Sequence, residues 1–295
     1  MSGISATEVP QANLPRVPKP VVSVVVPTRD RAGYLDVTLA SLVDQDFAEP
    51  YEVIVVDDGS RDATHDVITR FEVRAVVQDA PAGPNAARNA GARAAAADLV
   101  ALLDDDVFAP RAWLRALVEG AQRHPEADAV GGPIRARLEG PAPRSCGREL
   151  PPVTTLDLGP ADRETDLVWS ANMLFRRDAY ERIGPFDESR PPGGDEEEWL
   201  RRLTDRGGRV FYIADAAIDH RRTGDDARLR SLMRSAYRRG RNLRAYDESR
   251  GTAPGLGREL RVLAGCGWHV VRRACPQGLI MGAHSAGRLA TAVRR

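Results

Sequence analysis

Three short apolar runs, each stopping abruptly at a polar cluster, constrain this chain more than any other feature. Val21-Val22-Ser23-Val24-Val25-Val26 stops at Pro27-Thr28, and Glu52-Val53-Ile54-Val55-Val56 at Asp57-Asp58-Gly59-Ser60. Asp98-Leu99-Val100-Ala101-Leu102-Leu103 stops at Asp104-Asp105-Asp106. Each run is too short for a helix and apolar at successive positions, the pattern of a strand buried on both faces of a parallel sheet. The stretches between them have helical spacing: Leu35, Leu39 and Leu42, then Val67, Ile68 and Phe71, then the Ala-rich stretch Asn85–Ala97, with a short strand at Ala75–Val77. Alternating strands and helices predict a doubly wound α/β sheet with right-handed crossovers. Ligands of such sheets bind beyond the carboxyl ends of the strands, where both acidic clusters lie.

The remainder is less regular. Residues 1–20 hold four prolines and read as a flexible leader. A helix is expected at Pro110–Val118, a long loop at Gly140–Gly159, a strand at Val168–Phe175, a short helix at Asp178–Ile183 and a strand at Val210–Ile213. Pro191–Gly194 leads into a helix start at Asp195-Glu196-Glu197-Glu198, with acid at its positive end. From Asp226 to Tyr246 an apolar stripe of Leu229, Leu232, Met233, Ala236, Tyr237 and Leu243 marks an Arg-rich helix, and the last 45 residues, rich in glycine, give no clear pattern. The chain is neutral overall, but residues 221–295 carry 17 Arg against 5 Asp+Glu. Such a helix could meet an anionic membrane or pack on the preceding α/β domain; without a nucleic-acid motif, nucleic-acid binding is not expected. The lone lysine among many arginines fits a GC-rich bacterial genome. The three cysteines, Cys146, Cys266 and Cys275, lack zinc-site spacing and read as reduced thiols. With neither a secretory leader nor an 18- to 20-residue apolar run, the expected location is the cytoplasm or its membrane surface.

Each polar cluster has a chemical and a structural reading. Asp104 and Asp106 could share Mg²⁺ or Mn²⁺, oxygen-liganded ions that bridge to diphosphates, or the triplet is a solvated helix cap. Asp57 or Asp58 could accept from a base or ribose, or serve the turn at Gly59. Arg88 could meet an anionic ligand or be a surface arginine. A carboxylate of the Asp195–Glu198 run could be a general base, or the run favours the helix dipole. His220 could complete a metal site with Asp106, or be an ordinary polar residue.

Together these pieces resemble the family 2 glycosyltransferases, inverting enzymes of the GT-A nucleotide-diphospho-sugar transferase fold. The resemblance runs from about Val22 to His220. It takes in Val24–Asp30, Val53–Ser60 with Asp62, Ala87-Arg88-Asn89-Ala90-Gly91, Leu103–Asp106, Asn172–Arg177 through Gly184–Glu188, and Gly194-Asp195-Glu196 before Trp199–Leu203. It implies a Rossmann-like, mixed, mainly parallel sheet at 21–220 flanked by helices; the Arg-rich tail at 221–295 lies outside the resemblance and is expected to be a basic helical C-terminal extension. It implies that Pro27, Thr28 and Asp57 line the nucleoside pocket, with Asp58 nearby and Arg88 beside the base or phosphates. Asp104 and Asp106 match the Asp-x-Asp motif around Asp105, Asp104 near the ribose and Asp106 on a divalent metal, Mg²⁺ or Mn²⁺. His220 matches a histidine that ligates this metal in some relatives. Asp195-Glu196 matches the family's acidic pair in reversed order, making Glu196 the expected base and Asp195 its alternative. The implied partners are a nucleotide-diphospho-sugar donor and a hydroxyl acceptor that is a saccharide, lipid-linked or small molecule. A non-catalytic nucleotide-sugar-binding scaffold and a nucleotidyltransferase are the rivals; the second normally carries a Gly-rich phosphate loop after its first strand, where only Gly33 occurs.

Overall fold

The computed structural model describes residues 19–147, 153–189 and 195–293, with Asp195 described by its backbone alone. The expected leader and the Pro191–Gly194 turn therefore lie almost wholly outside the described residues. The chain runs β1 (Val22–Thr28), α1 (Ala32–Val43), β2 (Tyr51–Asp57), α2 (Thr64–Ile68), β3 (Arg74–Val77), α3 (Pro84–Ala94) and β4 (Leu99–Leu103). Next come β5 (Val107–Phe108), α4 (Trp113–Arg123), β6 (Ala129–Gly131), β7 (Ile134–Glu139), β8 (Arg163–Glu164), β9 (Asn172–Arg176), α5 (Arg177–Ile183) and α6 (Asp195–Thr204). The last elements are β10 (Val210–Tyr212), β11 (Ile218–Thr223), a 3-10 turn (Gly224–Ala227), α7 (Leu229–Ser249), α8 (Leu256–Arg273) and α9 (Gln277–Ala292).

The main sheet has the order β3-β2-β1-β4-β9-β6-β10-β8. Strands β3, β2, β1 and β4 are mutually parallel, β9 is antiparallel to both its neighbours, and β10 is parallel to β6. The alternation along β1 explains the continuous apolar run. Val22, Val24 and Val26 pack with Leu35, Leu39, Trp113 and Leu117 of α1 and α4. Val25 joins Ile54, Val56, Phe175, Phe186 and Trp199 on the opposite face. A small sheet, β5-β11-β7, stands beside the main one.

The strand expected at Val168–Phe175 begins only at Asn172. Its register on β4 ends at Leu103↔Asn172, and beyond Leu103 the chain leaves the sheet, so Val168–Ala171 has no strand to pair with. The Asn172 side chain anchors this turn, accepting from Trp113 Nε1 at 2.9 Å and donating to the Ala216 carbonyl at 2.7 Å. The helix expected at Pro110–Val118 starts later, at Trp113, and runs to Arg123. The featureless last 45 residues are mainly α8 and α9. Glycines mark the contact of α9 with α7: a Cβ on Gly240 of α7 would fall 2.0 Å from the His284 carbonyl oxygen, and one on Gly287 of α9 2.1 Å from that of Tyr237. The stripe of α7 accordingly packs on α9, through Leu232, Ala236 and Ile280. Arg288 joins α9 to Glu259 of α8 at 2.6 Å and to Asp247 of α7 at 2.8 Å.

Gly91 lets α3 lie directly on β1, because a Cβ there would sit 2.2 Å from Val25 Cγ1. Gly91→Ala is expected to lower stability by about 1–3 kcal/mol through overpacking. Gly33→Ala, in α1 with nothing within 4 Å, should be neutral or slightly stabilising. Urea unfolding of the two variants tests this packing; equal midpoints would refute it.

Candidate functional site

The carboxyl ends of β1, β2 and β4 open into a cleft of about 1020 Å³, closed on its far side by α7, α8 and α9. Pro27, Thr28, Asp58, Arg88, Asp104, Asp105 and Glu196 line it. Of these, Thr28 ends β1, Arg88 lies on α3, the two aspartates follow β4, and Glu196 is in the first turn of α6. Asp106 and His220 lie just beneath, 2% and 4% exposed.

The two acidic motifs behave differently. The Asp57 carboxylate does not reach the cleft; its Oδ1 accepts from the Ser60 backbone N–H at 2.9 Å and closes the turn. Asp58 faces the cleft and accepts from the Ala82 and Gly83 N–H groups at 2.6 and 3.0 Å, fixing the loop before α3. Of the expected pair, Asp57 thus closes the turn and Asp58 is the member that lines the cleft.

The Asp104–Asp106 triplet is held by cations. Arg31 NH1 is 3.0 Å from Asp105 Oδ1 and its NH2 2.7 Å from Asp106 Oδ2. Arg222 donates to the same Asp106 oxygen. Arg88 NH2 lies 3.8 Å from Asp104 Oδ1. Thr28 Oγ1 donates to Asp105 Oδ2 at 2.7 Å. Burial pushes the Asp105 carboxyl up to about 7, with Arg31 opposing. Burial acts on Asp106 too, but His220, Arg31 and Arg222 outweigh it and hold that carboxyl well below the usual range.

Arg31 and Arg222 are site residues that the sequence did not disclose. Arg31 follows Asp30, whose φ of 51° is left-handed and unusual outside glycine. Asp30 is pinned there by Ser60, whose hydroxyl accepts its N–H at 2.9 Å, and by the Arg61 N–H, which it accepts at 2.7 Å. Arg222 arrives on β11, alongside His220. The signal was only the two arginines after His220.

His220 Nδ1 is 3.1 Å from the Thr154 carbonyl oxygen, which can only accept, so Nδ1 carries a proton. Its Nε2 then faces Asp106 Oδ1 at 3.2 Å, an oxygen with no hydrogen-bond partner of its own. A buried carboxylate oxygen aimed at an imidazole nitrogen fits a cation between them. The guanidinium of Arg222, 3.2 Å from the same Nε2, makes the first cationic contact to both residues. The donor set thus suits a divalent ion completed by substrate oxygens.

On α6, Glu196 Oε1 lies 3.4 Å from Ser170 Oγ, whereas Glu198 turns away to Arg202 at 2.8 Å. Glu197 also lines the cleft. The Asp195 side chain lies outside the described residues.

The model of Glycosyl transferase family 2 matches residues 23–184, more than half the chain. The chain belongs to this family. Glycosyltransferase AglE of Haloferax volcanii is 27% identical over 68% of this chain and 67% of its own length. Validoxylamine A glucosyltransferase of Streptomyces hygroscopicus is 31% identical over 72% of this chain but 59% of its own, so the chain spans only part of that relative. Among solved structures, the mannosyltransferase PcManGT of Pyrobaculum calidifontis, in complex with GDP-Man and Mn²⁺, aligns with a TM-score of 0.58 at 20% identity, over 94% of this chain and 76% of its own. The family 2 chain therefore has the GT-A fold, its motifs from β1 to β9 falling within the matched residues.

Removing Arg31 strips both Asp105 and Asp106 of a partner. Arg31→Met is expected to lower stability by about 1–3 kcal/mol, less than the loss of a fully buried partner because 34% of the side chain is exposed. An unchanged chemical-denaturation midpoint would mean that solvent, not Arg31, compensates the triplet.

Proposed function

We propose that this chain transfers a sugar from a nucleotide-diphosphate donor to a hydroxyl acceptor, with inversion at the anomeric carbon. The observation that carries the reading is the meeting, in one cleft, of the β1, β2 and β4 strand ends with Glu196. Pro27, Thr28 and Asp58 hold the nucleoside. Arg88 faces the diphosphate. Glu196, beside Ser170, accepts the acceptor's hydroxyl proton, with Asp195 its alternative. The freed oxygen bonds to the anomeric carbon as the bond to the diphosphate oxygen breaks, and the nucleoside diphosphate leaves with the electron pair. One backside displacement inverts the centre. Asp106 and His220, the second Asp of the Asp-x-Asp motif and its histidine partner, would hold Mg²⁺ or Mn²⁺, which when bound neutralises charge on the diphosphate. Arg88 supplies part of the same compensation from the protein. A nucleotidyl transfer would put attack on phosphorus and give Glu196 no reaching role.

A thermal-shift screen of UDP-, GDP- and dTDP-sugars, each with Mn²⁺ and with EDTA, tests the donor site. A metal-dependent rise with one nucleotide class is expected, and Asp106→Asn should abolish that dependence. Glu196→Gln should keep the shift but lower turnover by roughly 10²–10⁴-fold. Full turnover in Glu196→Gln would move the base to Asp195, and donor binding without any turnover would make the chain a binding protein. Product anomeric configuration by NMR reads the inversion directly.

The acceptor side of the cleft is walled by Leu243, Ile280 and Met281 of the helical extension, which suits an acceptor with an apolar portion next to its hydroxyl. Among the described residues no helix is long and apolar enough to cross a membrane. One face of α8 nonetheless presents Leu256, Leu260, Trp268 and Val271, 46–78% exposed, flanked by the exposed Arg258, Arg261, Arg272 and Arg273. An apolar stripe edged by arginine suits the cytoplasmic surface of an anionic bacterial membrane. Flotation with phosphatidylglycerol vesicles should carry the protein upward in a salt-sensitive manner, and Trp268→Ser with Leu260→Ser should prevent it. Equal behaviour with pure phosphatidylcholine would refute the charge component.

A further inference from the structure

Two of the three cysteines and one of the five histidines in the chain converge at a single point away from the carboxylate site. Cys146 follows β7, His269 lies near the end of α8, and Cys275 sits in the turn between α8 and α9. Their ligand atoms all lie within 4.8 Å of one another. Cys146 Sγ is 3.5 Å from His269 Nε2. That is the separation of two ligands on one tetrahedral zinc, since bonds of about 2.3 Å to sulfur and about 2.0–2.1 Å to nitrogen leave S···N near ~3.5 Å.

The surrounding backbone is shaped to bring them together. Ala274, just before Cys275, takes a left-handed φ of 47°, which breaks α8 and turns Cys275 inward to 3% exposure. Cys275 Sγ lies 3.8 Å from the Arg144 carbonyl oxygen, so the strand-side segment already meets the helix turn here. Gly278 allows α9 to approach the imidazole, because a Cβ there would stand 3.1 Å from His269 Cδ2. The third cysteine, Cys266, one turn earlier on α8, lines the cleft and stays outside the group.

We propose that Cys146, His269 and Cys275 form a zinc site that staples the segment after β7 to the α8–α9 turn. Two thiolates and an imidazole are soft and borderline ligands that select Zn²⁺ over the Mg²⁺ or Mn²⁺ suited to Asp106 and His220. Zinc binding displaces the two thiol protons, and three protein ligands leave the fourth position to water. A simple disulfide between the cysteines would leave the histidine without purpose. The staple fixes the helices that supply Gln277, Ile280 and Met281 to the cleft wall, so its occupancy sets how firmly that wall is held. The site stands independently of the sugar-transfer reading, and its test needs no turnover.

The full chain, purified under reducing conditions without chelator or metal-affinity resin, is analysed for zinc and then reconstituted with Co²⁺. Stoichiometric zinc and a thiolate-to-cobalt charge-transfer band are expected, the band separating this site from the sulfur-free pair Asp106 and His220. Cys146→Ser, at an exposed position, should keep the native circular dichroism and lose metal affinity by more than the roughly 10–100-fold that follows loss of an outer partner. Cys266→Ser should leave the band unchanged. Absence of a thiolate band in the wild-type chain would overturn the proposal. So would an unchanged affinity in Cys146→Ser, or an intact mass short by two hydrogens with both thiols blocked to alkylation.

Discussion

Three consecutive carboxylates at the end of a buried strand must be neutralised, and much of the cleft is organised around that demand. Arg31 reaches them from the loop after β1, Arg88 from α3 and Arg222 from β11, while Thr28 donates to the middle aspartate. These groups come from parts of the chain that share no local sequence logic. Each needs its own element in place before it can reach the triplet: β1 must lie between β2 and β4, and β11 must pair with β5 immediately after Asp106. Charge compensation and sheet order are in this sense one constraint. The compensation is also uneven, leaving Asp106 firmly ionised and Asp105 easily protonated.

The parallel half of the fold was legible because burial on both faces forces uninterrupted apolar runs, and β1, β2 and β4 supply them. The strand-end position of Asp57-Asp58 and Asp104–Asp106 followed from the same runs. The antiparallel insertion was less legible. β6 is three residues and β8 and β5 two, too short for any periodicity to register, whereas β10 showed in the apolar run Val210–Ile213. The apolar stripe made α7 legible, but glycine hid α8 and α9, because in α9 it serves close helix packing, where a sequence reading takes it as a helix breaker.

The cleft was legible in its carboxylates and in Arg88, and opaque in its other arginines. An arginine declares nothing in a chain so rich in them, and Arg31 and Arg222 acquire meaning only through the left-handed Asp30 and the return of β11. Likewise the spacing of Cys146, His269 and Cys275 resembles no metal motif, since the tertiary fold rather than the local sequence brings them together. The different surroundings of Asp57 and Asp58 were open to neither composition nor spacing, since the hydrogen bonds of the turn depend on the loop before α3.

The main sheet has an apolar core on each face, and the helical extension has a third of its own in Leu232, Ala236 and Ile280, bound by the Arg288–Glu259–Asp247 ion pairs. Separate cores accumulate substitutions separately. Sequence drift in α7–α9 can reshape the far wall of the cleft while β1, β2 and β4, and the carboxylates at their ends, go undisturbed. A lineage built this way can vary one wall of its cleft while the opposite wall stays constant.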